Sequence, residues 1–361
     1  MSVFLNLEDA QVLFLTFEIR SKVSRRKRFT RFLYLKKAII EIKHPLFNDE
    51  RTQTMIILEE QREEITMNQH SILLVAKNKS LYFFPSIDSL DVISAKELTD
   101  PSVMSSFQAR LKAYQMIIFL DYGFEIQFAE RVRPYTNAKI ILFFWNHFRE
   151  EHHQLLKNAQ QSSAIDDIYH FDILEAKALG LKHNSSFYSK QMQLPHSEQT
   201  SDLFFGATDN GRKERADHYK KAFDKLGITS HYYILPSRGN DQAGYLTYAD
   251  YLKLTSGSRG ILELLREGQS GVTLRTFESI FFNKKLVTDN LAISGYRFYD
   301  PQNIFLLQER DLKELPEFLN TPYRPVASEI IEFFDAKTWA KRFEGVDPQV
   351  FEWYEYDGQG K

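Results

Sequence analysis

Short apolar runs alternate along this chain with stretches of helical periodicity. Residues 71–76 (SILLVA), 116–122 (MIIFLDY) and 139–146 (KIILFFWN) are apolar at successive positions rather than at alternate ones. Strands covered on both faces read this way, so the runs predict buried strands of a parallel sheet joined by helical connections. The same pattern resumes after residue 200. It predicts a strand at 203–205, a turn at 206–212, a helix through Glu214, Ala216 and Tyr219, and strands around 261–265 and 285–287. Between the two halves, residues 191–202 are polar, contain Pro195 and read as a linker. The tail from 328 to 356 reads as helical and aromatic. Ligands of α/β folds bind at the carboxyl ends of the strands, where this chain places Asp121, Asn146 and His147.

The most informative segment is 268–290, GQSGVTLRTFESIFFNKKLVTDN. It opens with the small or polar residues Gly268, Gln269, Ser270, Gly271 and Thr273. Leu274, Phe277, Ile280 and Phe281 then recur at helical spacing, and Leu286 and Val287 close it. The pattern predicts a loop, a helix N-terminus and a buried strand. Helix N-termini present unpaired N–H groups and partial positive charge, which suit a phosphate. Arg275 adds guanidinium donors in the first turn, and Glu278 follows one turn later on the same face. Donors for a diphosphate and a carboxylate for ribose hydroxyls would make a nucleotide grip. The alternative is an ordinary helix start with a solvated Glu278. Residues 206–212 offer a second phosphate contact: Gly206 and Gly211 permit close backbone approach, and Arg212 or Lys213 could reach a diphosphate. A solvated arginine at a helix start is the competing reading.

These residues carry a resemblance. The segment looks like the C-terminal half-site of bacterial GT-B glycosyltransferases of the capsular and lipopolysaccharide biosynthesis type. That group carries G-Q-x-G-L-T-x-R-x-F-E, then K-K-L-I-T-x-N and a F-Y-x-P-x-N-I ending. The matching residues are Gly268, Gln269, Gly271, Thr273, Arg275, Phe277 and Glu278, then Lys284, Lys285, Leu286, Thr288 and Asn290, then Phe298, Tyr299, Pro301, Asn303 and Ile304. Residues 206–212 resemble the group's G-x-D-x-G-R, and 168–188 resemble a further segment, with Glu175 and Leu179 where Asp and Tyr are usual. The likeness covers roughly 71–339.

The resemblance implies a GT-B-like α/β fold, two Rossmann-like domains facing a cleft with an N-terminal extension. It begins only near Met67 and leaves 1–66 as an extension it does not explain, followed by an acceptor domain at 67–195, a nucleotide-sugar domain at 196–335 and a helical tail at 336–361. In such proteins the last helix often crosses back to the first domain, and Trp339, Phe343, Phe351 and Trp353 could pack that way. It also implies a metal-independent hexosyltransferase without a cofactor. The donor would be a nucleotide-diphosphate sugar, held by Gly206, Arg212, Gln269, Ser270, Thr273, Arg275 and Glu278. The acceptor would be a surface polysaccharide or a lipid-linked glycan. An acceptor hydroxyl needs a base, and Asp121 and His147 are the candidates, with Asp172 beside them. Asp121 reads equally as a helix cap and His147 as a surface histidine. Retaining members often carry E-x(7)-E, but Ser270 stands eight residues before Glu278, so the stereochemical course stays open. Two alternatives remain: a nucleotide-sugar epimerase on the same fold, or a non-catalytic GT-B-like subunit supporting another transferase.

Composition narrows the field. The 361 residues are 43% hydrophobic and 26% charged, ample for two soluble domains. A net charge of −2 argues against a general nucleic-acid binder. The absence of cysteine excludes disulfides, thiolate catalysis and cysteine–zinc sites. Neither Asp166 with Asp167 nor Asp88 with Asp91 has supporting ligands, and His152 with His153 reads as solvent-facing. No leader pattern and no apolar run of about 18 residues is present, so the expectation is a cytoplasmic protein, soluble or peripheral. Residues 20–43 interleave nine Lys and Arg beyond Arg20 with Phe29, Phe32, Leu33 and Ile39. That run could lie on an anionic membrane surface, or pack on the body of the protein with Glu59, Glu60, Glu63 and Glu64 offsetting its charge.

Overall fold

The computed structural model describes residues 71–77, 90–236 and 246–344. The basic and acidic stretches within 1–66, Asp88, Phe351 and Trp353 lie outside the described residues. Residues 70–361 belong to one compact unit, which contains two parallel sheets.

The first sheet holds β1 (Ile72–Ala76), β2 (Asp91–Ser94), β3 (Met116–Leu120), β4 (Lys139–Phe144), β5 (Asp167–His170) and β6 (Lys182–His183), in the order β2-β1-β3-β4-β5-β6. All pairs are parallel, with Leu73 opposite Ile117 and Ile117 opposite Ile140. β1, β3 and all of β4 but its first residue are buried on both faces, as the unbroken apolar runs require. Helices α1 (Ala95–Thr99), α2 (Pro101–Leu111), α3 (Ile126–Val132), α4 (Glu150–Gln161) and α5 (Ile173–Leu179) connect them. Local chemistry fixes their ends. Ser94 and Glu97 form a reciprocal capping box on α1, and Asp100 caps α2 ahead of Pro101. Asp172 caps α5, which stops at Gly180 in the left-handed region at φ 65°.

The second sheet holds β7 (Ser201–Thr208), β8 (Ser230–Leu235), β9 (Ser258–Glu263), β10 (Lys285–Thr288) and β11 (Ile304–Leu306), in the order β11-β10-β9-β7-β8. Its helices are α6 (Lys213–Lys225), α7 (Tyr248–Ser256), α8 (Leu274–Phe282) and α9 (Leu315–Asn320). Residues 206–208 extend β7 instead of beginning the expected turn. Gly206, Ala207 and Thr208 pair with Tyr233, Ile234 and Leu235 of β8, so the reversal waits until Asn210 and Gly211. In both sheets the first strand lies between the second and the third, which makes a crevice at the carboxyl ends where the connections diverge.

The chain then returns to the first sheet. α10 (Ser328–Phe334) sets Phe334 against Phe277 and Phe298 of the second half. α11 (Ala336–Lys341) and the turn after it set Trp339 and Phe343 against Phe143 of β4, and Phe343 against Tyr169 of β5. The outgoing and returning segments are joined where they pass. Tyr188 N–H donates to Phe334 O at 2.9 Å, and Ala336 N–H donates to Tyr188 O at 2.8 Å. Arg342, buried, donates to Asn184 Oδ1 at 2.8 Å and to Ser185 Oγ at 2.6 Å. No helix among the described residues is long and apolar enough to cross a membrane.

Trp339 is 0% exposed, and its ring lies 4.2 Å from that of Phe187 between centroids. Its indole N–H is buried and has no hydrogen-bond partner among the described residues. Truncation to Ala should therefore cost about 3–5 kcal/mol, read as a lowered urea midpoint. Trp339→Phe should cost clearly less, because it also removes the unpaired donor. Equal losses in the two variants would exclude this packing.

Candidate functional site

A cleft of about 340 Å³ lies between the carboxyl ends of the two sheets. From the first half come Trp145, Asn146, His147 and Arg149 after β4, and Phe171 after β5. From the second come Thr208 and Arg212 after β7, Leu264, Leu265 and Arg266 after β9, and Gln269, Thr273, Leu274 and Arg275 at the start of α8.

Arg212 sits over the crevice of the second sheet. Its guanidinium donates to Asp209 O at 3.1 Å, to Leu264 O at 3.1 Å and to Thr208 O, bridging the ends of β7 and β9. All three acceptors are neutral carbonyls, and the residue is 5% exposed. Burial and then the neighbouring charges of Arg275, Arg266 and Arg215 push its pKa down to about 10. Arg275 donates to Gly206 O at 3.1 Å through Nε and lies over the Phe205 ring. Arg266 reaches the Asn210 amide oxygen at 3.2 and 2.9 Å when that amide is oriented to accept. Burial lowers the Arg266 pKa, followed by repulsion from Arg149 and Arg275. Arg215, one turn into α6, is instead matched by Asp289 at 3.2 Å. The cleft thus gathers guanidinium groups held largely by neutral acceptors, an arrangement suited to an anion bearing more than one charge.

The expected donor-site residues separate into two groups. Arg212, Gln269, Thr273 and Arg275 line the cleft. Thr273 caps α8, accepting from Arg275 N–H at 3.1 Å, and its hydroxyl donates to Glu263. Gly206, Ser270 and Glu278 stand behind the lining. Gly206 has no room for a side chain: a Cβ there would meet the Tyr251 ring at 2.5 Å. Its carbonyl is what holds Arg275. Ser270 Oγ donates to Asp172 Oδ2 at 2.8 Å, joining the two halves across the cleft. Glu278 is enclosed, accepting from Tyr248 at 2.8 Å and Tyr251 at 2.9 Å, with Tyr188 bonded to Tyr248 at 2.6 Å. It is neither solvated nor a lining carboxylate.

The base candidates separate similarly. Asp121, 5% exposed, accepts from Trp145 N–H at 3.0 Å and faces the Asn146 amide at 3.1 and 3.2 Å. Burial raises its pKa. It braces the end of β4 and is not among the residues that line the cleft. Asp172 is also buried, spent on Leu174 N–H, Glu175 N–H and Ser270. His147 does line the cleft, with Nε2 among the atoms nearest Gly268.

The sequence reading overlooked Trp145, Arg149 and Arg266 as lining residues, although Trp145 lies near the end of a predicted strand and the other two follow one within a few residues. It also overlooked Glu263, whose fully buried carboxylate takes hydroxyl donors from Thr273, from Thr276 at 2.9 Å and from Thr288 at 2.6 Å. Lys284 and Lys285, part of the resembling motif, face away from this chemistry. Lys284 donates to Ser256 O at 2.8 Å, and Lys285 donates to Thr321 Oγ1 at 2.9 Å and Pro322 O at 3.3 Å. Burial lowers the Lys285 pKa to about 8.

No protein-family model matches this sequence, and no curated protein matches it significantly.

Glu278 provides a test of this geometry. Burial pushes its carboxyl up to about 7, against the opposing pull of the two tyrosine hydroxyls and Arg275. A folded-state value above the ordinary 4.5 means that the protonated acid is the form the fold favours. That contribution is complete below about pH 4.5 and is lost as pH rises through about 7, on the order of 3 kcal/mol in all. Relative to Glu278→Gln, the wild type should therefore lose stability between those limits, measured by urea unfolding at both. A difference that stays constant over the range excludes the assignment.

Proposed function

We propose that this chain is a GT-B-type glycosyltransferase that takes a sugar from a nucleotide-diphosphate donor and passes it to a polysaccharide or lipid-linked glycan. The observation that carries the reading is the convergence of Arg212, Arg266 and Arg275 with the N-terminus of α8 at the crevice of the second sheet. A departing nucleoside diphosphate gains negative charge as the glycosidic bond breaks. Fixed guanidinium groups and helix-end N–H groups oppose that charge without reorganising. The two parallel sheets supply the matching architecture: a phosphate-binding half, and a facing half that presents Trp145, Asn146 and His147. The resemblance across 268–304 supplies the reaction class. The placement of Glu278 shifts one detail, because the carboxylate proposed for ribose holds tyrosines instead.

In this reading the arginines provide the positive charge at the diphosphate, so turnover should survive exhaustive treatment with EDTA. Complete loss on chelation, restored by magnesium or manganese, would overturn the metal-independent form. The basic run at 20–43 is proposed as a peripheral membrane contact that brings the cleft to a lipid-linked acceptor, at about 1 kcal/mol per Lys or Arg near an anionic surface. Flotation with anionic vesicles, released by salt, tests it on the full chain.

The donor site is tested by calorimetric titration with nucleoside diphosphates. Arg275→Ala should weaken binding about ten- to hundredfold, the loss of one charge-assisted contact of about 1.5–3 kcal/mol. Glu278→Ala should lower stability instead, by removing the acceptor that Tyr248 and Tyr251 share. Failure of the wild type to bind any member of the panel would refute the reading.

A further inference from the structure

The positive charge of the cleft exceeds what a donor diphosphate needs. Arg149, Arg212, Arg266 and Arg275 line it, and no aspartate or glutamate does so among the described residues. A nucleotide-diphosphate sugar carries two negative charges, which Arg212 and Arg275 match in number at the crevice of the second sheet. Arg149 stands on the opposite wall, as the N-cap of α4. A cation at that end of a helix works against the helix dipole, so the position costs stability rather than adding to it. Arg149 is exposed. The neighbouring Glu150 carboxylate, 98% exposed, lies 3.8 Å from His153 Nε2 and is not part of the lining. Arg149 also acts on Arg266, lowering its pKa more than Arg275 does. Like charges facing each other from the two walls are unfavourable until an anion lies between them.

The loop that carries Arg149 begins with a fixed aromatic surface. Trp145 is half-buried and lines the cleft. Its main-chain N–H donates to Asp121 Oδ1 at 3.0 Å, and its indole N–H donates to Ser186 Oγ at 2.5 Å. Its ring stacks on Phe187 at 5.1 Å between centroids and 13° between planes, and Phe187 is backed by Trp339. A ring held by all these contacts is positioned before any ligand arrives. The negative face of an indole suits the C–H face of a pyranose, whose hydrogens carry partial positive charge. We propose that the acceptor is an acidic glycan: the ring of its terminal sugar lies on Trp145, and the carboxylate or phosphate it bears is held between Arg149 and Arg266. The proposal rests on the transferase reading for the presence of an acceptor. It adds the charge of that acceptor and the residues that select it. Guanidinium groups from both walls give a carboxylate or phosphate paired, charge-assisted donors that a neutral sugar leaves unused.

The test is a ligand-observed NMR titration of the full chain with the methyl glycosides of glucose and galactose, the corresponding methyl uronides and the corresponding 6-phosphates. At least one acidic form should bind about tenfold tighter than its neutral parent, and the uronide and phosphate arms identify the substituent. Arg149→Gln, at an exposed position, should bring that preference to within about twofold. Trp145→Ala should weaken acidic and neutral forms alike, by about tenfold, and keep the preference between them. Saturation with the tightest-binding nucleoside diphosphate should leave the acidic sugar bound. Equal affinity for acidic and neutral sugars overturns the inference, as does absence of binding by all of them or unchanged sugar affinity in Trp145→Ala. A preference that survives Arg149→Gln overturns it too. So does displacement of the acidic sugar by the nucleoside diphosphate, which would place the anion at Arg212 and Arg275. Should Trp145→Ala fail to fold, Arg149→Gln decides alone. Failure of the wild type to bind any nucleoside diphosphate would instead strike the transferase reading, while the comparison of sugars still decides the inference.

Discussion

Glu263 is the constraint on which the second half depends. A carboxylate at the end of a central strand and fully enclosed would be severely destabilising if its oxygens were unpaired. Here three threonine hydroxyls, one at the cap of α8, one in its first turn and one at the end of β10, converge on it. Strand, helix start and neighbouring strand are thereby locked to one another by a single side chain. The lock aims the N-terminus of α8 across the cleft and places Arg275 where it can lie on Phe205 and reach Gly206 O. Removing any of the three hydroxyls would leave the buried charge short of a donor, so the site's precision is tied to the stability of the sheet beneath it.

The two sides of the cleft divide the chemistry. The second half supplies positive charge held by carbonyl oxygens. The first supplies aromatic surface at Trp145, stacked on Phe187, and the imidazole of His147. The cross-cleft bond from Ser270 to Asp172 fixes their separation. Gly271 fits tightly at the same point, since a Cβ there would meet the Phe171 ring at 2.7 Å. The small residues of the 268–271 loop therefore serve close approach between the halves as much as phosphate contact.

The sheet was legible where burial is symmetrical. β1, β3 and β4 are covered on both faces and show as apolar runs, whereas β9 (SRGILE) and β10 (KLVT) are largely buried with only a pair of large apolar residues each. β8, an edge strand that is nowhere fully buried, reads as SHYYIL, and β11 has only three residues, too few for a period to register. In the site, Arg212, Gln269, Thr273 and Arg275 were legible because they adjoin glycines and a helix start. The surroundings of Glu278 were not legible, because they are made by Tyr248 and Tyr251, which approach from a separate helix. Local spacing placed it on α8 but could not say that its side of the helix is covered as well as that of Phe277.

The crossing between the halves has a mechanical meaning. The chain passes from one sheet to the other twice, and the two passes run side by side, tied through Tyr188 to Phe334 and Ala336 and through Lys190 N–H to Asp335 at 2.8 Å. Two rails bonded together behave as one axle. A polar ligand or substitution that broke one of these bonds would therefore leave the others still joining the two passes. The bond from Ser270 to Asp172 is a second tie at a distance from this line, so the two halves are held both at the crossing and at the cleft.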